Sequence, residues 1–452
     1  MSRRASDAYI KYNSYYEIEQ AQLVAESVTN IAISGIYTTT LAYPGKIWSS
    51  PTGTVTFPQT FANGQGSFTV YIDSSKFATK DTMQMIVDAS YAGIDAQTTV
   101  DFDRVSFSVY AMYNVNENGV YWTTGDTCKG RLHTQDYLYV TGNPYFKGPV
   151  TTGKGLKKQN GSSDHPTFAG GYQSPVNEPM PPDLTNVKTM GRQTTAPAGK
   201  DYVDTGNLTA GTPIQENIEL YKNGSVAVTE YTSKKVGSTT TVTKVTTVYT
   251  SIAAWAPDGV VLVENMPVHV QGVLNGQLTI SAVGTGSAIY IDSSIVYSVP
   301  PENSDGSANT NCKSMLGLVT DNNVIITDVP VDPITGNNLP SVNNSDVYLN
   351  ASIFCLTGGF SAQNYGSRGL DGTIFLVGGI QQNVRGTVAS LSGNNVSSGF
   401  HKNYDYDKRL TQQSPIAYPG TMNWKVMNWY ETTATTNNNT FFQNAFGFLN
   451  SH

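Results

Sequence analysis

The chain has 452 residues, more than one core ordinarily holds, so two or more domains are expected. Charged residues make up 13% of it, against roughly a quarter in ordinary domains, while 27 Tyr and 42 Gly with abundant Thr, Ser and Asn suit strands and turns and disfavour a helical bundle. A net charge of −7 argues against a basic nucleic-acid-binding stripe, and no run of about 18 apolar residues is present to span a membrane.

Residues from about Ala8 to Ile36 predict one helix. Ile18, Ala21, Ala25, Val28 and Ala32 recur at three-and-four spacing, and Leu23, Val24 and Ile31 widen the stripe. Tyr9, Tyr12, Tyr15 and Tyr16 crowd the start of this helix; a core position accounts for some of them, and a part that protrudes and packs on another subunit accounts for more. Alternating runs follow: Phe68, Val70 and Ile72; Met83, Met85 and Val87; Val100 and Phe102. Val105, Phe107 and Val109 continue on a shifted phase, which predicts a bulge near Arg104. One helix before such a meander is an α+β module.

From about 149 to 215 the chain is polar and aperiodic, an insert expected to lie on its own domain or on a neighbouring subunit. Beyond Trp255 short aliphatic pairs recur: Val268 and Val270, Leu278 and Ile280, Ile289 and Ile291. The series continues with Val324 and Ile326, Val347 and Leu349, Ile374 and Leu376, then Val384 and Val388. Brief strands between Gly, Asn and Ser corners predict a coiled solenoid, with a two-sheet sandwich as the alternative.

Several stretches carry a family likeness. They are the helix QAQLVAESVTNIAISGIY, the segment GRLHTQDYLYVTGNPYFKGPVTT, the rung VQGVLNGQLTISA, and GTIFLVGGIQQNVRGTV leading into GFHKNYDYDKRL and PIAYPGTMNWKVMNWYE. Together they resemble pilus-assembly-like bacterial surface proteins of uncharacterised function. The resemblance implies a mainly β chain, a pilin-like α+β module followed by a right-handed parallel β-helix, carried outside the cell or on its surface. It also implies a membrane-spanning segment ahead of the helix, which this chain does not show. It implies no activity. The expected divisions are 1–112 for the pilin-like helix and antiparallel sheet, 113–420 for the β-helix with its insert, and 421–452 for an aromatic cap or tail.

Candidate chemistry is sparse. Glycoside hydrolysis needs paired carboxylates on neighbouring coils, whereas Asp292, Asp305, Asp321, Asp346 and Asp371 scatter through turns. His133, His165, His269, His401 and His452 show no metal-ligand spacing; His269 is expected on a solvated strand face and His133 at a hydrogen-bonded corner. Asp405 and Asp407 could hold calcium with backbone carbonyls, against the simpler expectation that Lys408 or Arg409 pairs with one of them. Arg385 is expected to bind carbonyls at a coil corner beside Gly386, Gln381 and Gln382. Cys128, Cys312 and Cys355 allow one disulfide at most or three buried small hydrophobes.

The sequence therefore predicts a non-enzymatic extracellular structural protein without a cofactor, calcium aside. Self-association or contact with other pilus subunits is expected through Tyr9, Tyr12 and Tyr16 and through Phe441, Phe442, Phe446 and Phe448. The alternatives are a carbohydrate-binding adhesin that recognises surface glycans and a polysaccharide-degrading enzyme.

Overall fold

The computed structural model describes residues 3–38, 52–56, 64–71, 82–181, 183–184, 187–188, 202–203, 212–236, 238–392 and 395–435. They are mainly strands, and they divide into two compact units. One is drawn from Met1–Val105 with Met422–His452, and the other is Ser106–Thr421.

In the first unit the helix α1 (Arg3–Thr38) accompanies a five-stranded sheet. Strands Thr52–Thr56, Gly64–Tyr71, Thr82–Tyr91 and Ile94–Ser106 pair antiparallel in chain order. Ala92 and Gly93 both take positive φ, the two-residue turn that matches the twist of a hairpin. Every second residue of Ile94–Phe102 is buried, and Met83, Met85, Val87, Val100 and Phe102 join Ala21, Val24, Ala25, Val28 and Ala32 in one core. Close approach of helix to sheet depends on Gly66, where a Cβ would lie 2.4 Å from Val28 Cγ2. Leu23 and Ile31, expected to widen the apolar stripe, are exposed, because a single sheet face covers only the Ala21–Ala32 side.

Two further expectations are corrected here. The register of Thr82–Tyr91 with Ile94–Asp103 is unbroken; the phase shift past Arg104 comes from a 3-10 turn, Phe107–Val109, whose Ser108 amide is capped by the Ser106 hydroxyl. The segment expected to form a cap from 421 is instead the strand Gly420–Thr435, which lies beside Ile94–Ser106 in the first unit's sheet. Asn428 donates to Asp101 at 3.2 Å and Lys425 pairs with Asp103 at 3.4 Å. Residues 106–421 are thus inserted between two neighbouring strands of the first unit, and its first strand begins at Tyr110, before the expected division at 112.

The second unit is a pile of short parallel strands. Along one inner column Val261, Ile280, Leu318, Ile353, Ile380, Met112, Leu132 and Val150 follow one another in register. All eight are buried. A second column runs through Val268, Ile289, Val324 and Phe360. The recurrent aliphatic pairs read from the sequence up to Leu376 are inward residues, two per strand, as a pleat with period two requires; Val384 is only half-buried and Val388 lies outside any strand.

Chain order and stacking order differ. The chain enters at Tyr110–Asn116, in the middle of the pile, and adds Arg131–Thr134, Val150–Thr152 and Tyr172–Gln173 on one side. It resumes at the opposite end with Tyr202–Val203 beside Val260–Glu264. It then builds back through Gln277–Val283, Met315–Thr320 and Val347–Cys355 to Leu370–Val384, which pairs with the entry strand. The expected polar insert at about 149–215 is therefore shorter. Residues 150–173 contribute strands whose few inward residues, Val150, Thr152 and Phe168, hid among polar outward ones. Beyond them, Met180, Leu184 and Val187 pack with Phe107, Tyr113, Val319 and Phe354 on an outer face of the pile. Tyr113 donates its hydroxyl to the Glu178 carbonyl at 2.6 Å. This described part lies on its own domain; residues 189–201 and 204–211 of the expected insert lie outside the described residues.

Candidate interaction surfaces

An α-helix rises about 1.5 Å per residue, so α1 reaches over several turns beyond the part that the sheet covers. Burial starts at Ala21. Before it, Tyr9, Tyr12 and Tyr15 are 65%, 69% and 60% exposed, Ile10 is exposed beside them, and Tyr16 is partly held by an edge contact with Tyr91 at 6.4 Å. Neighbouring turns thus present aromatic rings to solvent, more apolar surface than a free helix end needs. Phe441, Phe442, Phe446 and Phe448, the other expected contacts, lie outside the described residues, as does His452.

Asp405 and Asp407 face different cations. Asp407 is buried and receives Arg409 through Nε at 3.0 Å and Nη2 at 2.6 Å, while its Oδ1 also caps the Arg409 amide at 3.0 Å. Arg409 spends its remaining donors on the carbonyls of Cys312 and Ser314. Asp405 pairs with Lys129. Two carboxylates already neutralised by fixed cations offer little to calcium, which needs six or more oxygen ligands. Among the described residues no group of three His, Cys, Asp or Glu side chains could hold a metal ion.

Of the aspartates expected in turns, Asp305, Asp321 and Asp346 are corner acceptors, whereas Asp292 and Asp371 lie within strands. Asp321 receives the Gly284 amide and the Ser287 hydroxyl, Asp346 receives the Thr373 amide, and Asp305 receives the Ser307 amide. Asp371 pairs with buried Arg368, which also reaches the carbonyls of Gln363, Val342 and Asn343. His269 is buried, not solvated: Tyr290 stacks on it at 4.8 Å and Asp292 accepts its Nδ1 at 2.8 Å. Thr327 donates to the same carboxylate at 2.6 Å, so its hydroxyl proton is committed to Asp292. His133 lies mid-strand, buried, with Nδ1 2.7 Å from Thr151 Oγ1 and Tyr113 stacked on its ring. Burial pulls its pKa down to about 4. His165 and His401 are exposed. All three cysteines are free and buried, the small-hydrophobe arrangement; desolvation pushes Cys128 and Cys355 up to about 12.

A dense polar cluster sits where the two runs of parallel strands meet. Gln381 donates to the Tyr110 carbonyl at 2.7 Å, Gln382 to Asn114 at 2.9 Å, and Asn114 to Glu117 at 2.7 Å. Arg385 bridges Glu117 at 2.9 Å and the Val120 carbonyl at 3.0 Å, with its guanidinium 4.6 Å from the Trp122 ring. Gly379 admits the Tyr110 backbone, since a Cβ there would meet its carbonyl oxygen at 2.5 Å. Sequence reasoning found Arg385 and the two glutamines but not Asn114 or Glu117, whose partners lie about 270 positions away. At the far end of the pile, Glu216 points inward with Ile218 and Leu220. Its Oε2 is buried without a hydrogen-bond partner, and desolvation, aided by Glu230 opposite, pushes its pKa up to about 8.

No family model matches this sequence, and no curated protein matches it. Among solved structures, the crystal structure of competence-associated pilin ComZ from Thermus thermophilus is similar over 93% of this chain and 98% of that one, at 11% sequence identity and a TM-score of 0.32. A likeness at that level fixes neither fold nor activity. No described helix is long and apolar enough to cross a membrane.

Proposed function

We propose that the chain is a non-enzymatic structural subunit of an extracellular, pilus-like surface assembly. In this reading the pile of parallel strands is a right-handed parallel β-helix, inserted into a pilin-like helix-and-sheet module. Right-handed winding is the ordinary outcome when parallel strands of one sheet are joined by crossovers. The observation that carries the proposal is α1: its second half is packed on the sheet while Tyr9, Ile10, Tyr12 and Tyr15 stand in solvent. Another copy, or another subunit of the same assembly, would bury them. The engagement of Asp321, Asp346, Asp371 and Asp407 in structural hydrogen bonds and ion pairs supports a role without catalysis.

Sedimentation and negative-stain microscopy of the full chain test the proposal. Multimers or filaments are expected, and the triple variant Tyr9→Glu, Tyr12→Glu, Tyr15→Glu should lose them while keeping its helical circular dichroism. A wild-type chain that stays monomeric at every concentration and salt would refute it.

A carbohydrate-binding adhesin is the second reading, favoured by aromatic rings on the flanks. Tyr348 is exposed and stacks flat on Phe375 at 5.0 Å and 9°, and Lys157 lies 5.1 Å from the Tyr139 ring. Flat rings of this kind suit the apolar face of a sugar. A glycan array on which the protein finds no ligand would count against it.

A further inference from the structure

The strand Thr239–Tyr249 pairs with Val226–Val236 over its whole length, from Tyr249 opposite Val226 to Thr239 opposite Val236, with no bulge. No register of paired residues joins its other long side to a described strand. That side carries a row of backbone amides and carbonyls in extended geometry, and most of its residues are exposed, Val245 at 56% and Val248 at 66%. Natural sheets blunt such an edge with proline, a bulge, short length or several charges. This one has eleven residues, no proline and a single charge, Lys244.

About Val245 two of the four pairs of positions within the strand carry the same residue, while Lys244/Thr246 and Thr241/Tyr249 differ. Reading outward, Thr243 is matched by Thr247 and Val242 by Val248. In an isologous contact residue i of one copy meets residue j of the other and j meets i, so about Val245 these matches set like against like. We infer that Thr239–Tyr249 pairs antiparallel with the same strand of a second copy of this chain, with the two-fold axis at Val245.

In that register Val245 faces Val245, Val242 faces Val248 at both ends, and Thr243 faces Thr247. β-Branched residues paired directly across strands stabilise a sheet, and this sheet already uses such a pair: Thr246 and Thr229 share a hydrogen bond of 2.9 Å. Charge sets the register. Here Lys244 lies opposite Thr246. A slip of one pair places the axis on Lys244 and sets the two ammonium groups face to face, which is unfavourable. The opposite slip sets each Lys244 against Val248 and shortens the overlap.

This interface is independent of the exposed half of α1, and a cross-link separates the two. Val245→Cys in the full chain, treated with copper phenanthroline, should give a covalent dimer, because equivalent Cβ atoms meet at the axis. The wild type, whose three thiols are buried, supplies the control. The α1 triple variant carrying Val245→Cys should cross-link equally well. Val245→Lys, a change at an exposed position, should weaken the dimer measured by sedimentation by about tenfold or more, since it sets like charges opposite each other. Two results would overturn the inference: no cross-link in the Val245→Cys chain, or cross-linking of Thr240→Cys as efficient as that of Val245→Cys.

Discussion

Glu216 gives the second unit a pH dependence that can be worked out in advance. Its carboxyl faces the interior beside Ile218 and Leu220, has one oxygen without a partner, and titrates at about 8 in the fold against 4.5 when unfolded. Between those values the folded state holds the proton and the unfolded state has released it. Stability therefore falls as pH rises through that window. His133 works the other way. Its folded pKa of about 4 lies below the 6.5 of the unfolded chain, so the unfolded state takes up the extra proton and stability rises with pH from about 4 to 6.5. Where the windows overlap, from about 4.5 to 6.5, the two slopes cancel. Above about 6.5 only Glu216 still titrates of these two, at up to about 1.4 kcal/mol per pH unit, or about 2 kcal/mol by pH 8. Glu216→Gln keeps the shape of the side chain and removes the charge. Its urea unfolding midpoint, followed by amide exchange in Thr212–Leu220, should be flatter between pH 6.5 and 8 than that of the wild type. Below about 6.5 it should decline on acidification, as His133 is unmasked. Parallel curves for the two proteins would show that Glu216 does not titrate in the fold as its burial demands.

The junction of the two runs makes two sharper claims. Arg385→Met leaves Glu117 buried without its cation, which costs about 3–5 kcal/mol; adding Glu117→Gln should recover a large part of that in thermal unfolding, and additive losses would deny the coupling. Gly379→Ala forces a methyl group against the Tyr110 carbonyl, at about 1–3 kcal/mol, and should raise amide exchange in Tyr110–Asn116 well before exchange rises in Gln277–Val283. Uniform exchange across both strands would mean that the junction is no weaker than the coils on either side.

Local physics made part of this molecule readable. Three-and-four spacing found the buried face from Ala21 to Ala32, because one helix packs on one sheet and leaves an unambiguous stripe. The same spacing over-reached at Leu23 and Ile31, since apolar residues beside the stripe carry no mark of how wide the covering surface is. Period-two aliphatics located the inward residues of most parallel strands, Val268 to Leu376, because each strand buries two side chains and the corners between them need Gly or Asn; Asn265, Asn343 and Asn364 do take positive φ. The strands at 150–173 escaped for the opposite reason: two to four residues with at most one inward apolar side chain leave no hydrophobic period to detect.

What no periodicity could supply was the order of stacking. Parallel neighbours share no turn, so the pairing of Leu370–Val384 with Tyr110–Asn116 is written only in side chains that satisfy one another across some 270 positions. Gln381, Gln382 and Arg385 looked anomalous in an apolar series because their partners were out of view. Their burial costs free energy unless each donor and acceptor is matched, and the matches exist only at this one junction. That makes them a device for register. An aliphatic pair such as Ile380 on Met112 would tolerate almost any neighbouring coil, since Ile353 and Leu132 offer much the same surface. The Gln382–Asn114–Glu117–Arg385 chain accepts one coil alone. A chain that begins its pile in the middle must close it from the far end, and the closing coil has to recognise the first strand laid down; buried polar groups discriminate there where hydrophobic contact cannot.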